Sequence, residues 1–169
     1  MALKLDVLTW VSNCRGVKLT VRGEYALRAL TNLGRRYGPH VIRIQEVSDV
    51  EAIPKRFLEQ ILNDLRTGGF VESRRGVAGG YRLAKSPERI PLAAVIRHIE
   101  GALAPIGCVS ENYYKKCNCP DEQRCALRSV MKEVRDAVAG MLEKLTVADL
   151  VQRSTRLRSE PTSPVDYYI

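Results

Sequence analysis

Apolar residues at Val21, Tyr25, Ala29, Leu30, Leu33 and Tyr37 recur at helical spacing behind Thr20, a hydroxyl N-cap. The pattern predicts a first helix of about 17 residues, ended by Gly38-Pro39. A shorter helix is predicted over 45–52, stopped before Pro54, and a third over 54–66 with Pro54 in its first turn. In the third, Phe57, Leu58, Ile61, Leu62 and Leu65 share a face, and Gly68-Gly69 closes the segment. Residues 70–73 and 81–83 read as short strands joined through Gly76, Gly79 and Gly80, a glycine-rich hairpin tip. A further helix is predicted over 91–100, with Leu92, Val95, Ile96 and Ile99 inward. Regular patterning then stops until about residue 123. From Leu127 through Val130, Met131, Val134, Ala137, Val138 and Met141 to Leu145, apolar positions repeat for about five turns. That stripe is longer than a lone surface helix needs and predicts a dimer seam. Residues 146–150 add one more turn, and the Ser/Thr- and proline-bearing stretch 153–169 is expected to be a disordered tail.

Two helices on a tight turn followed by a glycine-tipped hairpin make a winged helix-turn-helix, so the fold expected is mainly α with a small β-hairpin wing plus a long C-terminal dimerisation helix. The organisation expected is a DNA-binding domain over 17–100, a cysteine-rich loop over 101–125, a dimerisation helix over 126–152 and the tail. Charge sharpens the picture. The chain has 27 Lys+Arg against 19 Asp+Glu, a formal +8, and residues 1–100 hold 17 of the basic and 10 of the acidic residues. A polyanion is therefore met by the first hundred residues, and double-stranded DNA fits best. Lys55 and Arg56 stand at the start of the third helix, where they reach phosphate or a guanine edge, with Gln60 one turn on. Arg74, Arg75 and Arg82 flank the wing, and Arg28 on the first helix is a further DNA-contact candidate.

Other classes recede. The longest stretch free of charge, 101–110, is ten residues, against roughly 20 for a bilayer span. An acid at Asp6 breaks any secretory signal, so a cytoplasmic protein with no membrane partner is expected. No Ser/His/Asp set, phosphate-binding glycine loop or paired-carboxylate signature points to an enzyme.

The cysteines add chemistry. Five in a reducing compartment are not a disulfide framework. Cys108, Cys117, Cys119 and Cys125 fall within 18 residues, spaced C-x8-C-x-C-x5-C. Thiolates are soft ligands suited to an iron-sulfur cluster or to zinc, and a loop is free to wrap around either.

The blocks 18–28, 57–62, Leu65-Arg66, 79–83, 95–97 and Glu100-Gly101 together resemble the Rrf-type family of bacterial winged helix-turn-helix regulators, over residues 17–150. The resemblance implies a homodimer on a roughly palindromic operator, usually as a repressor. It also implies, through the family's iron-sulfur-binding branch, a [2Fe-2S] or [4Fe-4S] cluster that senses redox, nitric oxide or iron status. Three family cysteines match Cys108, Cys119 and Cys125; Cys117 is extra and is an alternative to Cys119. For the fourth ligand, one branch has a histidine where this chain has Arg128, which does not ligate. Other branches use an acidic residue of the partner's first helix, here Glu24 of the partner subunit. The wing departs from the family pattern, lacking its usual proline and a further glycine over 75–80. Family members start near Val17, so residues 1–16, with Cys14, are read as an N-terminal extension that need not be native. The alternative is a winged-helix regulator with structural zinc or no metal, controlled by a partner protein or small effector.

Overall fold

Thr20 caps helix α1 (Val21–Arg35) as its position predicts, its side chain accepting from the Gly23 N–H at 3.4 Å. A computed structural model describes residues 19–76 and 78–159; the 1–16 extension, Cys14 and residues 160–169 lie outside the described residues. Helices α2 (Ile44–Glu51) and α3 (Lys55–Thr67) follow, then strands β1 (Val71–Arg74) and β2 (Gly80–Leu83), which pair antiparallel with Val71 opposite Leu83 and Arg74 opposite Gly80. Helices α4 (Leu92–Glu100), α5 (Ala126–Lys144) and α6 (Val147–Ser159) complete the order. The architecture is the expected helical domain with a hairpin wing and a long helix behind it.

Leu30 and Leu33 of α1, Leu58, Leu62 and Leu65 of α3, Ile90, Val95 and Val147 form one buried cluster. Removal of such side chains from water is the main drive to fold. Two expectations for α1 do not hold: Val21 and Tyr37 are exposed, and the helix stops at Arg35. Ala29, Leu30 and Leu33 are buried as expected, joined by Ala26 and by Gly23 and Gly34. A Cβ on Gly34 would lie 2.8 Å from Val151 Cγ2, so the glycine is what lets α6 seat on α1. Phe57 is also exposed rather than buried, because Leu58, Ile61, Leu62 and Leu65 already fill the inner face of α3.

The tail expected from residue 153 is corrected: α6 is helical to Ser159. Val147 is buried, Leu150 and Val151 pack on the same core, and Arg35 donates to Ser154 Oγ at 3.1 Å. Its start is a capping box in which the Thr146 N–H and hydroxyl both donate to Asp149 Oδ2 at 2.7 Å. Those bonds, the hydroxyl's first, hold the Asp149 carboxyl below its ordinary 3.8. The folded state therefore favours the ionised form, and the stabilisation is full above pH 3.8 and lost as pH falls through the lower native value. Asp149→Ala is expected to lower the urea midpoint at pH 7, and the gap to the parent to close below pH 3.8. Equal midpoints at pH 7 would contradict this role.

Helix α5 is different in kind. It buries no residue within the chain, and Leu127, Val130, Val134 and Met141 are exposed, Met141 by 66%. Its inner side meets the small cluster of Ala104, Cys108 and Val109 through Met131, and the main core and the Ala93, Ile96 and Leu103 cluster of α4 and its following loop through Leu142. Among the described residues no helix is long and apolar enough to cross a membrane.

Candidate nucleic-acid interface and metal-binding loop

The turn between α2 and α3 is fixed from inside. The Ser48 hydroxyl donates to Ile53 O at 2.7 Å, and Ala52 takes a left-handed φ of 50° that reverses the chain. Helix α3 thus presents Lys55, Arg56 and Gln60 to solvent, with exposed Phe57 beside them. The wing is braced at its base, where Ile42 and Tyr81 exchange backbone hydrogen bonds of 2.8 and 2.9 Å. Gly80 is required there because a Cβ would run into the Ile42 carbonyl, and Gly76 at φ 108° makes the tip turn without the family's proline.

Lys55, Arg56, Arg74 and Arg75 are exposed and carry no ion pair or hydrogen bond among the described residues, so their charges are free to meet phosphate. Two other expected contacts also hold internal partners. Arg82 pairs with Glu72 across the hairpin and donates to Pro39 O at 2.9 Å, which holds the wing to the domain. Arg28 pairs with Glu24 at 3.2 Å, bonds the Glu51 carbonyl and lies over the Tyr25 ring. It is not brought together with the α3 and wing cations. Phe57 and Arg43, next to the Ile42 bridge, are exposed residues of this region that the sequence reading missed. Phe57 was hidden because it continues an apolar run.

The loop before α5 gathers all four described cysteines. Cys125 is the N-cap of α5, its Sγ accepting from the Arg128 N–H at 3.4 Å, and it lies 3.8 Å from Cys119 Sγ. Cys117 packs on the small cluster that holds Cys108. Cys108 is buried, Cys117 and Cys125 are half-buried and Cys119 is exposed. The Cys119 backbone and thiol hold Cys117 below the ordinary thiol range. Contacts with Cys117 and Cys125 push Cys119 up to about 12, and burial pushes Cys108 up. Thiols must shed their protons to take a metal.

Loop and helix are tied by cations. Arg128 Nε donates to Cys108 O and pairs with Glu122, each at 3.3 Å, and Arg135 donates to Val109 O at 2.6 Å. Glu122 also accepts from the Tyr114 hydroxyl at 2.8 Å. As the side chains stand, no group of three His, Cys, Asp or Glu among the described residues converges to hold a single ion. The chemistry of the donors nonetheless suits a soft metal: four thiols on one loop, one of them the N-cap of α5. The 3.8 Å between Cys119 and Cys125 also matches the edge of a tetrahedron with metal–sulfur bonds of about 2.3 Å. Glu24 is not near this loop within the chain; it lines a groove between α1 and α6 with Arg28, Arg35 and Arg158.

Comparison with known proteins completes the picture. The model of the Rrf2 family, described as iron-dependent transcriptional regulators, matches residues 19–153. The chain is 39% identical over 137 residues to an rrf2-like HTH-type transcriptional regulator of Rhodobacter capsulatus, covering 79% of this chain and 91% of that one. It is 30% identical over 142 residues to the HTH-type transcriptional regulator NsrR of Bacillus licheniformis, covering 84% and 97%. Among solved structures it is similar to CymR, the global cysteine regulator of B. subtilis, with TM-score 0.68 and 28% identity over 80% of this chain and 97% of that one.

Proposed function

The chain belongs to the Rrf2 family of transcriptional regulators, DNA-binding proteins and not enzymes, and from that premise we propose that it is a dimeric repressor whose operator affinity is set by an iron-sulfur cluster on the cysteine loop. The observation that carries this reading is the gathering of four thiols on one loop, with Cys119 and Cys125 3.8 Å apart at the N-cap of α5. Cys108, Cys119 and Cys125 would hold the cluster together with Cys117 or Glu24 of the partner subunit. When bound, it supplies a centre that redox change, nitric oxide or iron shortage alters or removes.

The chain's own residues supply the link to DNA. Cys125 starts α5, and Arg128 and Arg135 fasten the loop backbone to that helix. At the other end Arg97 of α4 pairs with Glu143 of α5 at 2.6 Å, and the Leu92 N–H donates to Leu145 O at 2.8 Å. Ordering the loop therefore biases the register between α5 and the DNA-binding domain. A second copy of this chain covers the exposed stripe of α5, so α5 sets the separation of the two α3 helices. Half-sites of a palindrome lie about one duplex turn apart, and a small change of that separation costs one head its groove.

The test is operator titration by fluorescence anisotropy with anaerobically loaded and metal-stripped protein. A change of at least about tenfold in Kd between the two supports the coupling, since coupling energies of this kind are typically 5–150-fold. Equal affinities would overturn it. If zinc alone restored the loaded value, the structural-zinc alternative would replace the sensing reading.

The uncommitted cations give a separate prediction. Arg75→Ala is expected to weaken operator binding and to reduce the slope of log K against log salt by about one phosphate contact. An unchanged slope would remove Arg75 from the interface.

A further inference from the structure

We propose that Phe57 is a specificity residue of the DNA interface, packing its ring against the C5-methyl group of a thymine in the major groove. The inference rests on α3 as the helix that enters DNA, and it is independent of what the cysteine loop holds.

Phe57 is the third residue of α3, and it is 59% exposed while Leu58, Ile61, Leu62 and Leu65 fill the inner face of that helix. By helical spacing it falls between Ile61 on the inner face and Gln60 on the outer one, at the edge of the surface that α3 shows to solvent. Its backbone is held in place, because the Phe57 N–H donates to Pro54 O at 2.9 Å and the Leu58 N–H to the same carbonyl at 3.0 Å, which closes the first turn. Lys55 and Arg56, its neighbours in the chain, are exposed and have no ion pair among the described residues. A single ring beside uncommitted cations does not resemble a protein–protein contact, whose core is depleted of charge. Beside a duplex the same cations meet phosphate.

The ligand follows from the chemistry of the groove. The N-terminal residues of a recognition helix are the ones that meet base edges. Those edges present hydrogen-bond donors and acceptors at every base pair and one apolar group, the C5-methyl of thymine. A phenyl ring neither donates nor accepts through a polar atom, so the methyl is the group from which it gains. Against a guanine or cytosine edge it would take polar groups out of water without replacing their bonds. The cations supply attraction to any duplex, and Phe57 adds a preference between bases.

Deoxyuridine tests the methyl alone. The probe is a duplex selected by the parent protein from a randomised pool, with each thymidine replaced in turn, symmetrically in both half-sites, by deoxyuridine. Affinities at one salt concentration are compared for the parent and Phe57→Ala. At one symmetric position the parent is expected to lose about fourfold for each methyl, hence more than about tenfold for the pair. Phe57→Ala is expected to bind the unmodified duplex more weakly by a similar factor and to be indifferent to deoxyuridine at that position. Its thermal midpoint should match the parent's, since the ring is exposed. A parent indifferent to deoxyuridine everywhere, or a Phe57→Ala variant that kept every sensitivity of the parent, would overturn the inference. The double variant Lys55→Ala, Arg56→Ala separates this from the placing of α3. If it weakened binding while deoxyuridine cost the parent nothing, the role of Phe57 alone would fall. If neither it nor Phe57→Ala weakened binding, α3 would leave the groove and both readings would fall.

Discussion

Cys125→Ser is expected to reduce iron and sulfide retained per chain by more than about tenfold while leaving the fold intact. The side chain has two jobs that this substitution separates. As N-cap of α5 it accepts the Arg128 N–H, a task for which serine is among the best residues, so the helix keeps its start. As a ligand it is irreplaceable, because a hydroxyl is a hard, poorly ionised donor where a thiolate is soft. Circular dichroism and the thermal midpoint should therefore match the parent's. Operator affinity should sit at the metal-stripped parent's value under all conditions. Retention of a full cluster, or an affinity that still followed loading of the parent, would contradict the role given to Cys125.

Val134→Asp is expected to convert the dimer to a monomer and to lower operator affinity by roughly 10²–10⁴-fold, the avidity lost when two heads no longer act together. Within one chain Val134 is 40% exposed, so the substitution costs little in the fold of the subunit. Between copies the same residue sits mid-stripe with Val130 and Met141, and an ionised carboxylate there would be taken out of water unpaired. Analytical ultracentrifugation reads the first effect and operator titration the second. A variant that stayed dimeric would move the interface off α5.

The DNA-binding half was legible because its signals are local. Thr20 as a cap, Pro54 at the start of α3 and glycines at the wing tip each demand a particular backbone, and the chain adopts it at Thr20, at Gly76 and within one residue at α3. What the pattern did not show depends on neighbours. Helix α6 carries Arg153, Arg156 and Arg158 in a mostly polar run, and it continues beyond residue 153 where it seats on Gly34 and Arg35 of α1. Arg28 and Arg82 are as basic as Arg74 and Arg75, and the fold adds that Glu24, Glu51 and Glu72, distant or unremarkable in sequence, pair with them. Spacing put the four cysteines on one loop, but the 3.8 Å approach of Cys119 to Cys125 and the packing of Cys117 on the cluster of Cys108 follow from the fold, which no spacing records.

The central claim is that this loop holds an iron-sulfur cluster, and it is tested most directly by purifying the protein without oxygen and recording visible absorption with iron, zinc and acid-labile sulfide per chain. The account predicts iron and sulfide in equal amounts with charge-transfer bands. A colourless protein that after reconstitution held only zinc, or no metal, would contradict it.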